Sequence, residues 1–253
     1  GAFLGKALAM GADFVATGHY AQNKNFNLVK GADPSKDQSY FLWILKREQF
    51  SKILFPIGRI KKVEVSKLAK KLKLPVAAKK DSQGICFLGP VDLKEFLKHY
   101  IKEKKGKVVN ERGEEIGCHD GVVFHTLGER HGFTITKKSP TDGPYYVIGK
   151  DIKKNILTVS QSFRISNSDI PTNYKIKNTN WISGAPKPEK KYTAQIRYHG
   201  EFLPCRVKIF PNYKAEVVFQ EPASGSATKA LVAAGQSLVI YDGDICLGGG
   251  VVE

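Results

Sequence analysis

The stretch GAFLGKALAMGADFVATGHY, Gly1–Tyr20, sets the fold class of the first third of the chain. Phe3, Leu4, Ala7 and Leu8 recur with a helical period, and Gly11 is placed to stop that helix. Asp13–Thr17 then reads as a short buried strand, closed by Gly18 and His19. A helix feeding an apolar strand is one piece of an α/β sheet. One strand is not a sheet, and the chain opens without methionine. The expectation is therefore a later part of a longer protein. The resemblance of Gly1–Ala7 to a phosphate loop fails, because three residues separate its glycines and Ala7 follows the lysine.

Further along, Asn23–Asn27 reads as a hairpin turn and Asp33–Pro34–Ser35 as a second turn. Asp37 is a candidate helix cap, with Tyr40, Phe41, Ile44 and Leu45 as the apolar face of the helix that follows. Lys61–Lys73 alternates apolar Val65, Leu68, Ala69 and Leu72 with lysines, as an amphipathic helix stopped by Pro75. From Pro90 a helix runs to about Lys104. Strands follow near residues 106–110, 145–149 and 156–160, which makes a small α+β module. Beyond Phe163 the pattern changes to short alternating strands broken by turn residues, which suits a β-barrel or sandwich. The domains expected are 1–88, 89–162 and 163–253.

Composition limits the function classes. The 253 residues carry 40 Lys and Arg against 24 Asp and Glu, a net charge of +16. Twelve of those cations lie between Lys46 and Lys80, against Glu48 and Glu64. Such a patch fits a polyanion, and also a solvated helix face. The four cysteines, Cys86, Cys118, Cys205 and Cys246, form no CxxC pair and no zinc spacing, which points to a reducing, cytoplasmic setting. No apolar run approaches the ~20 residues of a membrane span.

Three stretches carry candidate chemistry. His19 and Gly18 follow a strand, at the end where open α/β sheets bind ligands. Lys36, Asp37 and Gln38 crowd a helix start, where an anion could bind or Asp37 could simply cap. Cys86 sits in DSQGICFLG, Asp81–Gly89, between glycines and close to Lys79 and Lys80. Positive charge and a nearby helix start favour a thiolate, while Ile85 and Phe87 favour a buried structural thiol. Cys205 and Cys246 fall in predicted strands and read as core. LGGGV, Leu247–Val251, reads as a close-packed turn rather than a cofactor loop.

Seven collinear blocks go further: ADFVATGHYA, KDQSYFL, LPVAAKKDSQGICFLG, GCHDGVVFHTLGERHGF, YYVIGKD, QIRYHG and GQSLVIYDGDICLGGG. Together they resemble the tRNA-specific 2-thiouridylase family over essentially the whole chain. The resemblance implies an adenine-nucleotide alpha hydrolase-like (ATP-pyrophosphatase) α/β domain, a small central α+β domain and a C-terminal β-barrel. It implies replacement of the C2 oxygen of the wobble uridine, position 34, by sulfur. ATP with Mg²⁺ would adenylate that oxygen, and a cysteine persulfide would deliver the sulfur. A second cysteine would release the sulfur or close a disulfide. By position, Cys86 matches the persulfide carrier and Gly18 a nucleotide contact. His19, Lys36, Asp37, Gln38, Arg197, Tyr198 and Gln236 match contacts to the tRNA anticodon region. The implied partners are tRNA and a persulfide donor, such as a sulfur-relay protein or cysteine desulfurase, with no membrane. The family's SGGxDS phosphate loop and its Asp-x-x-Cys-Asn segment do not occur in these residues, so the 253 residues alone are expected to be inactive. Two rival readings remain. One is a non-catalytic RNA-binding module. The other is a cysteine hydrolase pairing Cys86 with His19, His99 or His125.

Overall fold

The computed structural model describes residues 1–78, 93–137, 139, 142–161, 172–220 and 233–253. They divide into two compact units. One draws on Gly1–Lys79, Ile170–Thr228 and Ala234–Glu253, the other on Lys80–Asp169 and Lys229–Ala233.

The first unit opens with helix α1 (Ala2–Ala9), which ends before Gly11 at φ +89°. Strand β1 (Val15–Ala16) is shorter than the apolar run suggests, and only Val15 of the pair is buried. After it come β2 (Ala21–Lys24) and β3 (Asn27–Lys30), joined by Asn25 and Phe26, both in left-handed backbone. Two central residues of positive φ make the primed turn that matches strand twist. Ser39–Leu42 forms a 3₁₀ turn, and Arg47–Lys52 a second one. The α-helical face expected from Tyr40, Phe41, Ile44 and Leu45 is therefore corrected. Tyr40, Leu42 and Trp43 turn inward, while Phe41 and Ile44 are exposed. A single 3₁₀ turn does not keep the 3.6-residue period. Strand β4 (Ile53–Leu54) pairs with β1 in parallel, and Leu4, Val15 and Ile53 form a small core beside them. Helix α2 (Lys62–Lys71) starts where the Asp33 carboxylate accepts the Lys62 amide at 2.9 Å, and it has no buried residue.

The second unit begins with α3 (Leu93–Lys98); the stretch where its start was placed, Pro90–Asp92, lies outside the described residues. The helix stops short of Lys104. The Lys104 amide is already diverted to the Asp120 carbonyl at 2.9 Å as the chain enters the sheet. Strands β5 (Gly106–Val109), β6 (Glu115–His119), β7 (Phe133–Ile135), β8 (Tyr146–Asp151) and β9 (Ile156–Ser160) lie in the order β7-β6-β5-β9-β8. Only β5 and β9 run parallel. Val108, Ile116, Val122, Val147, Leu157 and Val159 fill the core.

The first unit resumes with β10 (Asn173–Asn180), β11 (Tyr192–Gln195), β12 (Leu203–Phe210), β13 (Lys214–Phe219), β14 (Ser237–Asp242) and β15 (Ile245–Val252). They follow one another as β10-β13-β12-β11-β14-β15, and β15 pairs back onto β10, so the six strands close a barrel. Closure removes the exposed edges that an open sheet would leave. Alternation along each strand sends Tyr174, Ile176, Cys205, Val207, Ala215, Val217 and Phe219 inward. Burial pushes the thiols of Cys205 and Cys246 up to about 12, as befits core residues. The glycine run near the C-terminus is strand, not turn. It sits at a bulge where β14 and β15 change register. A Cβ on Gly248, at φ +135°, would fall 1.9 Å from the Asn180 carbonyl oxygen. The β2–β3 hairpin does not stay with the α/β elements. It pairs along β15 through Val29–Ile245 and Leu28–Cys246.

Candidate functional site

The loop from Gly31 to Gln38 is held by its own polar side chains. Asp37 Oδ1 accepts the Gly31 and Ser39 amides at 2.9 and 3.1 Å, and Oδ2 accepts the Ser39 hydroxyl at 2.9 Å. Asp37 thus accepts the first amide of the short helical turn from one residue before its N-cap, Gln38. The Ser39 hydroxyl also lies 3.1 Å from the hydroxyl of Tyr241, which is fully buried in the barrel. Gln38 closes a reciprocal pair with Tyr20: its Oε1 accepts the Tyr20 amide at 3.0 Å, and its own amide donates to the Tyr20 carbonyl at 2.9 Å. That pair fixes the KDQ segment to the residue next to His19. Of the three, Asp37 and Gln38 have side chains engaged with backbone, while Lys36 is half-exposed at the loop surface.

The barrel meets this loop at the ends of two adjacent strands. The Tyr40 hydroxyl bridges the Ile196 carbonyl at 3.1 Å and the Ser237 carbonyl at 2.8 Å. The Trp43 indole N–H donates to Ser237 Oγ at 3.1 Å. Ile196 leads directly into Arg197 and Tyr198, and Ser237 follows Gln236. One tyrosine therefore gathers all three candidate segments. The Tyr198 ring lies 4.5 Å from Phe41 and 3.9 Å from His199, centroid to centroid. Burial raises its phenol above the ordinary range, with the Asp37 charge adding and Lys36 opposing, so it is a neutral donor at pH 7. Arg197 is exposed, and Gln236 is half-buried with its carbonyl accepting the Val252 amide at 2.9 Å.

Gly18 and His19 lie at the carboxyl end of β1. The His19 Nδ1 is 2.9 Å from the Thr17 hydroxyl, and its ring packs edge-on to Phe55 at 6.2 Å. Burial lowers its pKa, which keeps the imidazole neutral at pH 7. Gly18 is exposed, and a Cβ added there would meet nothing within 4 Å. That open backbone at a strand end fits the flank of a nucleotide. The fit reaches no further: no phosphate loop occurs in the sequence, and among the described residues no three His, Cys, Asp or Glu side chains converge to hold a metal ion. Cys86, the candidate sulfur carrier, lies outside the described residues.

Tyr40 and Ser237 are the members of this site that periodicity hides. A helical pattern scores Tyr40 as one more apolar residue. Its hydroxyl is the signal, since a buried tyrosine requires a polar partner where phenylalanine would not. Lys30 is a second case. Its ammonium stands 3.7 Å from the Phe202 ring centroid and 4.9 Å from that of Tyr241, in a cleft of about 330 Å³ lined also by Asp37 and Asp244. Burial lowers its pKa, while the two carboxylates oppose that shift.

In the second unit, His119 and His125 are both buried, with ring centroids 5.6 Å apart. His119 is held by the Gly121 amide at 2.9 Å. His125 Nδ1 stands 3.4 Å from Glu129 Oε1 without the geometry of a hydrogen bond. Burial lowers the pKa of both rings. His99, by contrast, is exposed in the turn that follows α3. Among the described residues no helix is long and apolar enough to cross a membrane.

Comparison with known proteins agrees with this architecture. Three family models match in order: a tRNA methyl transferase HUP domain over residues 1–90, a tRNA methyl transferase PRC-barrel domain over 94–161, and an aminomethyltransferase beta-barrel domain over 172–252. The tRNA-specific 2-thiouridylase MnmA of Geobacillus thermodenitrificans is 43% identical over 258 aligned residues, covering 100% of this chain and 67% of the relative. Its namesake in Escherichia coli K12 is 40% identical, over 96% of this chain and 66% of the relative. The chain thus spans about two thirds of the length of the curated relatives it matches. With a HUP domain, a middle domain and a C-terminal barrel in that order, at this identity along its whole length, the chain belongs to the tRNA-specific 2-thiouridylase (MnmA) family.

Proposed function

We propose that this chain works in the 2-thiolation of the wobble uridine of tRNA. The observation that carries the reading is the joining of Lys36–Gln38, Ile196–Tyr198 and Gln236–Ser237 by the Tyr40 hydroxyl, in a chain of this family. Three domain roles follow: nucleotide chemistry in 1–88, a central module in 89–162, and RNA holding in 163–253. Lys36 and Arg197 offer charge to phosphate. Tyr198 offers a ring and a neutral donor to an unstacked base, the usual manner of recognising single-stranded loops. His19, neutral and anchored on Thr17, keeps its other ring nitrogen as a hydrogen-bonding group for the RNA in this reading.

A uridine carbonyl oxygen is a poor leaving group. ATP, with Mg²⁺, would supply the activation that lets it depart, and the open backbone of Gly18 supports its assignment against that nucleotide. Cys86 carries the incoming sulfur as a persulfide, loaded by a sulfur-relay protein or a cysteine desulfurase. The persulfide is a stronger nucleophile than a thiol at neutral pH.

The test is Cys86→Ser in the gene of the source cell, with tRNA nucleosides measured by mass spectrometry. The expected result is loss of 2-thiouridine at unchanged tRNA abundance. Thiouridine persisting at the wild-type level in that variant would overturn the assignment and leave an RNA-binding module without sulfur chemistry.

A further inference from the structure

The barrel has a second charged surface, on strands other than β11 and β14, whose ends meet Tyr40. Outward residues of β10, β13 and β12 fall in register across the sheet. Asn173, Val218 and Arg206 form one row, and Lys175, Glu216 and Lys208 the next. Lys214 then faces Phe210, and Lys177 continues the same face of β10. The alternate residues point into the core, so this face is fully outward. It holds five cations and one carboxylate. Glu216 accepts a hydrogen bond from Asn173 at 3.0 Å, and Lys214 reaches Glu253 at 3.5 Å. Among the described residues Lys175, Lys177, Arg206 and Lys208 make no ion pair with any carboxylate.

The far end of this face carries aromatic rings. Phe210 is 48% exposed and Tyr213 is 77% exposed. Asn212 and Tyr213 both sit in left-handed backbone, at φ 60° and 56°. That conformation is costly for a tyrosine, and such strain persists only where surrounding structure enforces it. Here the Thr179 amide donates to the Tyr213 carbonyl at 3.0 Å and ties the hairpin tip to β10. The ring is thus held outward by the backbone.

The near end adjoins the first site. Ala194 pairs with Leu203, so β12 starts beside the end of β11, from which Ile196–Tyr198 emerges. From Leu203 to Phe210 the strand covers about 24 Å at the usual rise. A row of cations ending in an exposed ring is the combination that follows a nucleic acid strand, phosphates on the charges and a base on the ring.

We propose that the outer face of β10, β13 and β12 is a second RNA contact. Lys175, Lys177, Arg206 and Lys208 take backbone phosphates of the same tRNA that is held at Tyr198, and Tyr213 stacks an unpaired base at the far end. This rests on the RNA-binding reading above.

The experiment is tRNA binding by the 253-residue chain, followed by fluorescence anisotropy across a salt series. The probe is unmodified tRNA transcript. The variants are K175Q/K177Q/R206Q/K208Q, Y213A, and R197Q/Y198A at the first site. The quadruple variant should show a salt slope shallower by about 3 to 4, since each lost phosphate contact removes about 1. Y213A should bind at least about fivefold more weakly with the slope unchanged, as loss of one stacking contact requires. Thermal melts establish that each variant is folded. If the quadruple variant does not fold, K175Q and K208Q singly carry the same test, each with a slope change of about 1. A quadruple variant with wild-type affinity and slope, beside a weakened R197Q/Y198A, overturns this inference alone. Wild-type protein that fails to bind tRNA overturns the reading beneath it as well. A quadruple variant that keeps its tRNA affinity but is no longer retained on polyglutamate assigns the face to an acidic protein and also overturns the proposal.

Discussion

Two regions of the first unit, the closed barrel and the α/β segment before Ala78, both carry a regular hydrophobic pattern, alternating in one and largely helical in the other, and reach opposite degrees of packing. In the barrel every strand is paired on both sides, and Ile176, Val207, Val217, Leu238, Val239 and Ile240 have no solvent exposure. In the α/β segment the parallel pair is two residues long, and α2 buries none of its side chains. Val63, Leu68 and Leu72 stand in solvent although they lie on a regular amphipathic helix. Hydrophobic period states which face needs cover. It does not state that cover is present, and helix stability comes mostly from that cover. The β2–β3 hairpin escapes the contrast because it pairs along β15. It carries the loop from Gly31 to Gln38 with it, so the candidate RNA-contacting residues rest on the well-packed region.

The sharpest way to break this comparison is Gly248→Ala. A methyl group there would overlap the Asn180 carbonyl, and the backbone is left-handed. Relief requires β15 to move off β10, which opens the barrel. The expected cost is about 3 kcal/mol or more, read from urea unfolding. A variant within about 0.5 kcal/mol of wild type, the range of ordinary surface changes, would show that closure contributes little.

Tyr40→Phe tests the link between the regions. The change keeps the ring and leaves the Ile196 and Ser237 carbonyls without that donor. Leaving buried acceptors unsatisfied costs about 1–3 kcal/mol. Because the hydroxyl also aligns Lys36–Gln38 with Tyr198, tRNA affinity should fall in the same variant while Trp43 and the core stay packed. Lost stability with unchanged affinity would mean that the hydroxyl supports the fold and not the site.

Legibility followed the same division. The barrel could be read as a run of short strands because alternation and turn residues recur beyond Phe163. The partners of β10 could not be read: NYKIKNTN alternates, but it pairs with β13 and β15, far along the chain. The 3₁₀ turn at Ser39–Leu42 was hidden as well, because SYFLWIL satisfies an α-helical period equally well. What decides it is the Asp37 carboxylate accepting the Ser39 amide and the Tyr40 hydroxyl reaching the barrel, both set by tertiary contacts. The site residues themselves were legible as family motifs. Their convergence was not, because Tyr40 meets Ser237 across 197 residues of sequence and Gln38 meets Tyr20 across 18, contacts that no local pattern encodes.

The smallest expected effect is the most direct reading of the contrast. Leu68→Ala on α2 removes a side chain that is 47% exposed, from a helix with no buried residue. Alanine is also the better helix former, by a few tenths of a kcal/mol at most. Stability should therefore stay within about 0.5 kcal/mol of wild type. The same substitution at a fully buried leucine costs about 2–5 kcal/mol, from lost transfer energy and the cavity left behind. Leu238 in β14 is such a leucine. Equal costs at Leu68 and Leu238 would mean that α2 packs against a partner surface in solution, and the α/β segment would then be as well covered as the barrel. A cost confined to Leu238 would leave α2 as a helix held chiefly by its Asp33 cap and its attachment to the loop that precedes it, and would place the stability of the candidate site in the barrel and the hairpin that extends it.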